Sequence, residues 1–168
     1  MGDGAQIIIA RRFGSNQASR IGRIFGTSAI TNLILAILLF VLLYFVMPAQ
    51  IMAYSKYDTI ATLQGQFIQI RSFALFFAFI TITIQAFFLA KGKTWVVLIA
   101  AIITASSNIL MDYVLIFGEY GFPKMGVEGA ALASTLADGL GMLFLLIFLL
   151  VSEEARNLKL FRNFSFNA

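Results

Sequence analysis

The sequence predicts an all-α integral membrane protein, a helical bundle, and three observations lead to that class. Of the 168 residues, 60% are hydrophobic and only 12% are charged, whereas a soluble domain carries about 25% charged residues. A globule of this size cannot bury so much apolar surface, so lipid is the expected solvent. The apolar residues also form four long runs that lack the alternation typical of strands.

The four apolar runs have the length of membrane-spanning helices. We predict spans at residues 28–47, 67–90, 95–117 and 129–151, each near the roughly 20 residues that cross a hydrocarbon core of about 30 Å. Pro48 is expected to end the first span. A Lys-Gly-Lys turn at 91–93 separates the second span from the third, and the breaker-rich segment 118–126 separates the third from the fourth.

The two ends of the chain are predicted to lie outside these spans. Residues 1–12 have too short an apolar core to cross a membrane and carry their Arg pair after it, so they read as the last turns of a preceding helix. Residues 152–168 are predicted to be a cytoplasmic tail. Residues 1–168 are thus expected to form a single transmembrane unit, either a fragment of a longer protein or a truncated gene product.

Basic residues lie mainly on one side of the predicted membrane. Nine flank the first, second and fourth spans on that side, namely Arg11, Arg12, Arg20, Arg23, Lys91, Lys93, Arg156, Lys159 and Arg162. The opposite loops hold only Lys56 and Lys124. The positive-inside rule then places both chain ends in the cytoplasm, in a multi-pass protein of the cell (inner) membrane. Topology therefore explains the net charge of +4, and the expected partner is the lipid bilayer rather than nucleic acid.

Two residue types important for catalysis are missing from the sequence. It contains no Cys and no His, which removes thiolate nucleophiles, the commonest general base and the usual transition-metal ligands. Its carboxylates have no neighbouring nucleophile motif. We therefore predict no catalytic residues, no metal site and no cofactor, and we do not expect an enzyme.

Polar residues inside the spans carry the functional prediction. At 100° per residue, the polar and small residues of the second, third and fourth spans each fall on one stripe. We expect these stripes to face a common interior and to line a cavity, while branched and aromatic residues face lipid. The polar members are Arg71 and Gln85 in the second span, Thr104, Asn108 and Asp112 in the third, and Ser134 and Asp138 in the fourth.

Two hypotheses account for Asp112, whose carboxylate costs about 2.5–3.5 kcal/mol to insert at a helix centre. The second and third spans are antiparallel, so Arg71 reaches a similar depth and could hold Asp112 in a permanent ion pair. Alternatively, Asp112 lies desolvated beside the neutral Asn108 and takes up and releases a proton or another cation. For Asp138 the alternatives are a structural hydrogen bond between helices and a contact to substrate or ion.

Three stretches resemble one known family. They are "NILMDYVLIFGEYGFPKMGVEGAALAST" at 108–135, "QAFFLAKGKTW" at 85–95 and "ARRFGSNQ" at 10–17. In this order they are similar to the fifth and sixth helices, the preceding turn and an earlier loop of the multidrug and toxic compound extrusion (MATE) transporters. The resemblance implies a partial lobe of a twelve-helix, two-lobe transporter that works by alternating access. The chain would cover the end of the second through the sixth helix of the N-terminal lobe.

The same resemblance implies roles for particular residues. Asn108 and Asp112 fall on positions that form a protonation network in the proton-coupled branch, and Ser134 falls where the family usually has Thr. Asp138 has no expected counterpart. The implied function is antiport, coupled to protons or sodium, of drugs or other amphipathic organic compounds out of the cell. The implied partners are small organic substrates and the remainder of the transporter.

Two other functions stay open at this point. A flippase for lipid-linked saccharides belongs to the same superfamily, but its cavity would be richer in Arg or Lys than this sequence, where only Arg71 lies within a span. A non-transporting assembly subunit would also fit the chain, and it would tolerate loss of Asp112.

Overall fold

The computed structural model describes residues 2–14 and 18–152, and these ranges contain seven α-helices and one π-helical segment. The helices are α1 (Gly2–Gly14), α2 (Ala18–Val41), α3 (Met47–Tyr54), α4 (Asp58–Ser72), α5 (Ala74–Ala90), α6 (Thr94–Phe117) and α7 (Gly126–Val151), and the π-helical segment Leu42–Val46 joins α2 to α3. No strand occurs in these two ranges. The predicted all-α class is confirmed.

Four stretches of helix are long and apolar enough to cross a membrane within the described ranges. They are Ile24–Tyr54, Asp58–Ala90, Thr94–Phe117 and Gly126–Val151. Large apolar side chains such as Ile109 and Leu110 are about two-thirds exposed on the bundle surface. That exposure suits a surface solvated by lipid or by further protein.

The first long helix does not end at Pro48, so that prediction is wrong. A proline in a helix cannot donate to the carbonyl four residues earlier, here that of Tyr44. The backbone widens into the π-helical segment just before Pro48, which then lies in the first turn of α3, where the missing N–H costs little. The side-chain amide of Gln69 donates to the Tyr44 carbonyl over a long 3.4 Å contact. The helix therefore continues to Tyr54.

The second long helix begins earlier than predicted, and its regular helical bonding is interrupted at Phe73, ahead of its most apolar half. Gln64 and Gln66 lower the hydropathy ahead of residue 67 without interrupting the helix, which starts at Asp58. At Phe73 the regular bonding pattern breaks between α4 and α5, and the Ser72 hydroxyl donates to the Gln69 carbonyl at 2.6 Å. Arg71 consequently lies in the last turn of α4.

An aromatic and aliphatic core holds the helices together near the turn at 91–93. Phe87 and Phe88 of α5 are fully buried there, and Phe87 packs edge-on against Phe25 of α2 with ring centroids 6.0 Å apart. The other buried members come from α1, α5, α6 and α7: Ile9, Ile84, Val96, Ala100, Leu145 and Leu149. This core fixes one end of the bundle.

The helices α6 and α7 pack closely at the other end. α6 stops at Gly118, whose φ of +77° is the left-handed conformation that glycine adopts without strain. A β-carbon on Gly129 would lie 2.6 Å from the Leu115 carbonyl oxygen, so the two backbones nearly touch there. The predicted tail 152–168, with Arg156, Lys159 and Arg162, lies outside the described residues except for Ser152.

Candidate functional site

A cavity of about 560 Å³ lies between the second long helix, α6 and α7. Small residues, including Ala78, Ala101 and Gly141, form part of its walls. Their short side chains leave the space between the helices unfilled. Six of the seven side chains predicted to line a cavity are brought together here: Arg71, Gln85, Thr104, Asn108, Ser134 and Asp138. Asp112, the seventh, is not part of the lining.

Arg71 and Asp138 form an ion pair at the edge of this cavity. A terminal guanidinium nitrogen of Arg71 donates to the Asp138 carboxylate at 2.9 Å. The two side chains are 35% and 33% exposed, so both reach the open space. Of the two hypotheses for Asp112, the ion pair with Arg71 is wrong, because α4 packs against α7 and Arg71 contacts Asp138 instead.

Asn108 joins α6 to α7 through a hydrogen bond between two residues of the cavity lining. Its side-chain amide nitrogen donates to the Ser134 hydroxyl oxygen at 2.9 Å. Because both residues line the cavity, their remaining donor and acceptor capacity is available to a bound molecule. The Ser134 hydroxyl therefore fixes the position of the Asn108 amide.

Asp112 lies one helical turn beyond Asn108 and differs from every other polar residue of the stripe. Its Oδ1 atom is buried and has no hydrogen-bond partner in the described structure. Buried polar atoms are nearly always paired, and an unpaired one is costly. A carboxylate oxygen held this way is able to accept a proton or coordinate a small cation. The described residues contain no cluster of three or more acidic side chains that could hold a metal ion.

Some lining residues were not predicted from the sequence. Thr81 and Ile82 of α5 and Met142 of α7 also face the cavity. Thr81 lies four residues before Gln85, so helical periodicity could have identified it. No comparable signal was available for Ile82 and Met142, since apolar residues are expected on every face of a membrane helix.

A separate apolar pocket of about 130 Å³ lies between α2, α5 and α7. Phe25, Phe76 and Phe79 contribute to its walls. Beside it, the buried Asn32 amide donates to the Thr83 hydroxyl at 2.9 Å and ties α2 to α5. This is a hydrogen bond between helices, of the kind that polar side chains commonly make inside membranes.

Four apolar helical stretches of membrane length, three of which surround an open cavity with polar and apolar walls, are the architecture of a multi-pass membrane protein. The family model MatE matches residues 1–114. The chain therefore belongs to the MatE family.

Individual relatives agree with that assignment. The probable multidrug resistance protein NorM of Agrobacterium fabrum is 31% identical over 105 residues, which cover 62% of this chain and 23% of the relative. NorM of Synechocystis sp. is 28% identical over 159 residues, covering 94% of this chain and 34% of the relative. This chain thus spans about a quarter to a third of the length of these relatives.

A solved structure shares the fold. It is the inward-facing conformation of a multidrug resistance MATE family transporter of the MOP superfamily, with a TM-score of 0.85 and 20% sequence identity. The alignment covers 99% of this chain and 37% of that protein. The predicted partial lobe of a larger two-lobe transporter fold is confirmed by this likeness.

Proposed function

We propose that this chain forms part of an antiporter that exports drugs or other amphipathic organic compounds, driven by a proton or sodium gradient. The observation that carries the proposal is the buried, unpartnered Oδ1 atom of Asp112, one turn from the cavity-lining Asn108. The names of the NorM relatives and of the MATE structure support drug export as the activity of the whole transporter.

Coupling requires that Asp112 binds its cation with different free energies in the inward-open and outward-open states. The carboxylate lies on α6, which the Asn108–Ser134 hydrogen bond ties to α7. A change of charge on Asp112, whose Oδ1 atom is buried, alters the electrostatic field at that bond one helical turn away. The helix contact beside the substrate cavity would thereby respond to cation binding.

The chain is proposed to lie in the inner membrane with the α5–α6 turn on the cytoplasmic side. Lys91 and Lys93 flank that turn, whereas Lys56 and Lys124 are spread over the two connections at the opposite end. Arg11 on α1 adds to the cytoplasmic side. The positive-inside rule favours this orientation.

The decisive test is Asp112→Asn in the full-length transporter that contains this chain. Asparagine keeps the size of the side chain but cannot take up a proton or neutralise a cation. Efflux of a cationic dye from cells is expected to fall to the level of the empty vector at unchanged expression. Asp58→Asn, which makes the same replacement at an exposed position in the first turn of α4, is the matched control and should leave efflux intact.

The outcome also decides between the proposal and its rivals. Wild-type efflux by Asp112→Asn contradicts the proposed coupling, and a non-transporting subunit would show no efflux at all. A saccharide flippase is disfavoured by the cavity, in which Arg71 is the only basic residue among the described lining. Reconstituted vesicles with either a pH or a sodium gradient identify the coupling ion.

A further inference from the structure

We propose that α3 and α4 (residues 47–72) form a gate, a pair of helices that swings as one unit at one end of the cavity. Two interruptions of helical bonding, the π-helical segment Leu42–Val46 and Phe73, are its hinges. The ion pair between Arg71 and Asp138 is its latch. The inference concerns motion within the bundle and goes beyond the proposed transport function.

Both ends of the gate join the rest of the bundle through irregular backbone. At the first hinge the Met47 N–H reaches back five residues to the Leu42 carbonyl. At the second hinge the Phe73 N–H bonds the Ile70 carbonyl, three residues earlier, and the Phe76 N–H bonds the Phe73 carbonyl, both at 3.3 Å. Single π-helical turns and stretches of three-residue bonding inside a helix often mark hinges, because their hydrogen bonds are poorer than those of a regular α-helix.

The two hinges lie side by side and share Gln69. Its side-chain amide donates to the Tyr44 carbonyl at 3.4 Å in the first hinge, and its backbone carbonyl accepts from the Ser72 hydroxyl at 2.6 Å next to the second. The Phe73 ring packs edge-on against Phe40 and Tyr44, with ring centroids 5.1 and 5.8 Å apart. Since side chains that can rotate serve the carbonyls at both hinges, the backbone can turn there without leaving them unpaired. The contact between the hinges gives the two helices a common axis.

The gate is joined closely within itself and loosely to the bundle. A β-carbon on Gly65 of α4 would lie 3.5 Å from the Pro48 side chain of α3, so the two helices approach closely. Beyond the hinges, α4 packs against α7. In the described structure α3 buries no residue, and α4 buries only Ala61, Gly65 and Ser72. A unit with so few buried residues separates from its neighbours at low cost in free energy.

The latch connects the gate to α7 at the cavity. Arg71 is the only gate residue in the described cavity lining, and its 2.9 Å contact to Asp138 crosses from α4 to α7. Because both side chains are about one-third exposed, solvent screening limits the pair to an effect of about two- to fivefold on the equilibrium between closed and open gate. Such a contact favours the closed gate and still permits opening. Opening withdraws Arg71 from the lining and widens that end of the cavity.

The test measures distances across the hinges by double electron–electron resonance in the full-length transporter, reconstituted in nanodiscs without substrate or gradient. This chain contains no Cys, so spin labels are attached to introduced cysteines after those elsewhere in the transporter have been replaced. The gate pair, Met52→Cys with Tyr113→Cys, joins α3 to α6. The control pair, Ile34→Cys with Tyr113→Cys, joins α2 ahead of the first hinge to the same position, and all three positions are exposed. The wild type is expected to show a main and a longer distance for the gate pair and a single narrow distance for the control pair.

The double variant Arg71→Gln with Asp138→Asn removes the latch and leaves neither charge unpaired. The population at the longer gate distance, relative to the main one, is expected to rise about two- to fivefold, while the control pair stays unchanged. Equal populations with and without the ion pair overturn the inference. Equal broadening of both pairs overturns it as well, because the whole bundle would then have loosened.

Pro48→Ala acts on the first hinge and keeps the inference testable if the double variant does not fold. Alanine restores an N–H that can bond the Tyr44 carbonyl, so the segment should become regular helix and the longer gate distance should lose population. Pro123→Ala, in the exposed connection between α6 and α7, is the matched control and should give the wild-type distances. An undiminished longer distance in Pro48→Ala overturns the inference.

These distances separate the gate from the transport function, because they are measured without substrate or gradient. A gate that moves in a transporter unable to export a cationic dye supports this inference and contradicts the proposed function. Dye export by a transporter whose gate pair is as narrow as its control pair overturns the gate and leaves the proposed function standing.

Discussion

The guanidinium of Arg71 lies 2.9 Å from the carboxylate of Asp138 and joins the last turn of α4 to the middle of α7. This ion pair lies just before Phe73, where the regular bonding of the second long helix is interrupted. It therefore links the end of α4 to α7 and supplies both charged residues of the described cavity lining. Asp112 is left out of the pair and keeps an unpartnered oxygen.

The ion pair predicts a specific pattern of stability in single and double variants. Arg71→Gln and Asp138→Asn should each lower the melting temperature of the purified protein in detergent, because each leaves one uncompensated charge in the membrane interior. The double variant should be more stable than the two single effects predict, with a coupling of roughly 0.5–3 kcal/mol. Strictly additive effects would show that the pair is too solvated to matter.

Removing the Thr83 hydroxyl should lower the free energy of unfolding, because the buried Asn32 amide would then lack its hydrogen-bond acceptor. Both residues are 5% exposed, and the Thr83 hydroxyl accepts from Asn32 while donating to the Phe79 carbonyl. Thr83→Val is therefore expected to destabilise the protein by about 1–3 kcal/mol in thermal unfolding. Thr62→Val is the matched control, because Thr62 makes the same bond to its own helix at an exposed position.

The double variant Asn32→Leu with Thr83→Val sharpens that measurement. It removes donor and acceptor together and should recover most of the lost stability. A double variant as unstable as Thr83→Val alone would show that packing, rather than the hydrogen bond, decides the effect.

The close approach of α6 and α7 predicts that Gly129 tolerates no side chain. A β-carbon there would lie 2.6 Å from the Leu115 carbonyl oxygen, which also accepts from the Met125 N–H at 3.0 Å. Since a backbone carbonyl cannot move aside as a side chain can, Gly129→Ala should cost about 1–3 kcal/mol. Gly4→Ala, with no atom near the added carbon, should be neutral or slightly stabilising, and equal melting temperatures for both variants would contradict this packing.

The proline-linked π-helical segment predicts a coupling between Pro48 and Gln69. In the wild type the Gln69 amide supports the Tyr44 carbonyl that Pro48 cannot bond. Gln69→Leu should therefore cost about 0.5–1.5 kcal/mol. In a Pro48→Ala background the new backbone N–H can serve Tyr44, so Gln69→Leu should then have almost no effect. The four melting temperatures form a double-mutant cycle, and the same cost of Gln69→Leu in both backgrounds would refute the coupling.

The sequence predicted the helices well and their ends less well. Apolar runs of membrane length identified four spans, because the hydrocarbon core imposes both length and composition. Pro48 was misjudged as an end, since a π-helical segment and the Gln69 side chain together let the helix continue through it. The start at Asp58 was missed because glutamines reduce hydropathy without disfavouring a helix.

By itself the sequence determined which residues share a face. A helical period of 3.6 residues fixes the angle between positions on one helix, so Gln85, Thr104, Asn108, Ser134 and Asp138 could be assigned to inward stripes that now line one cavity. Only the tertiary structure decided which stripes meet. Arg71 pairs with Asp138 rather than Asp112 because α4 packs on α7, and no periodicity within a single helix contains that information. Packing between helices in lipid depends on shape and hydrogen bonds summed over many residues. In the resulting arrangement no donor reaches Oδ1 of Asp112.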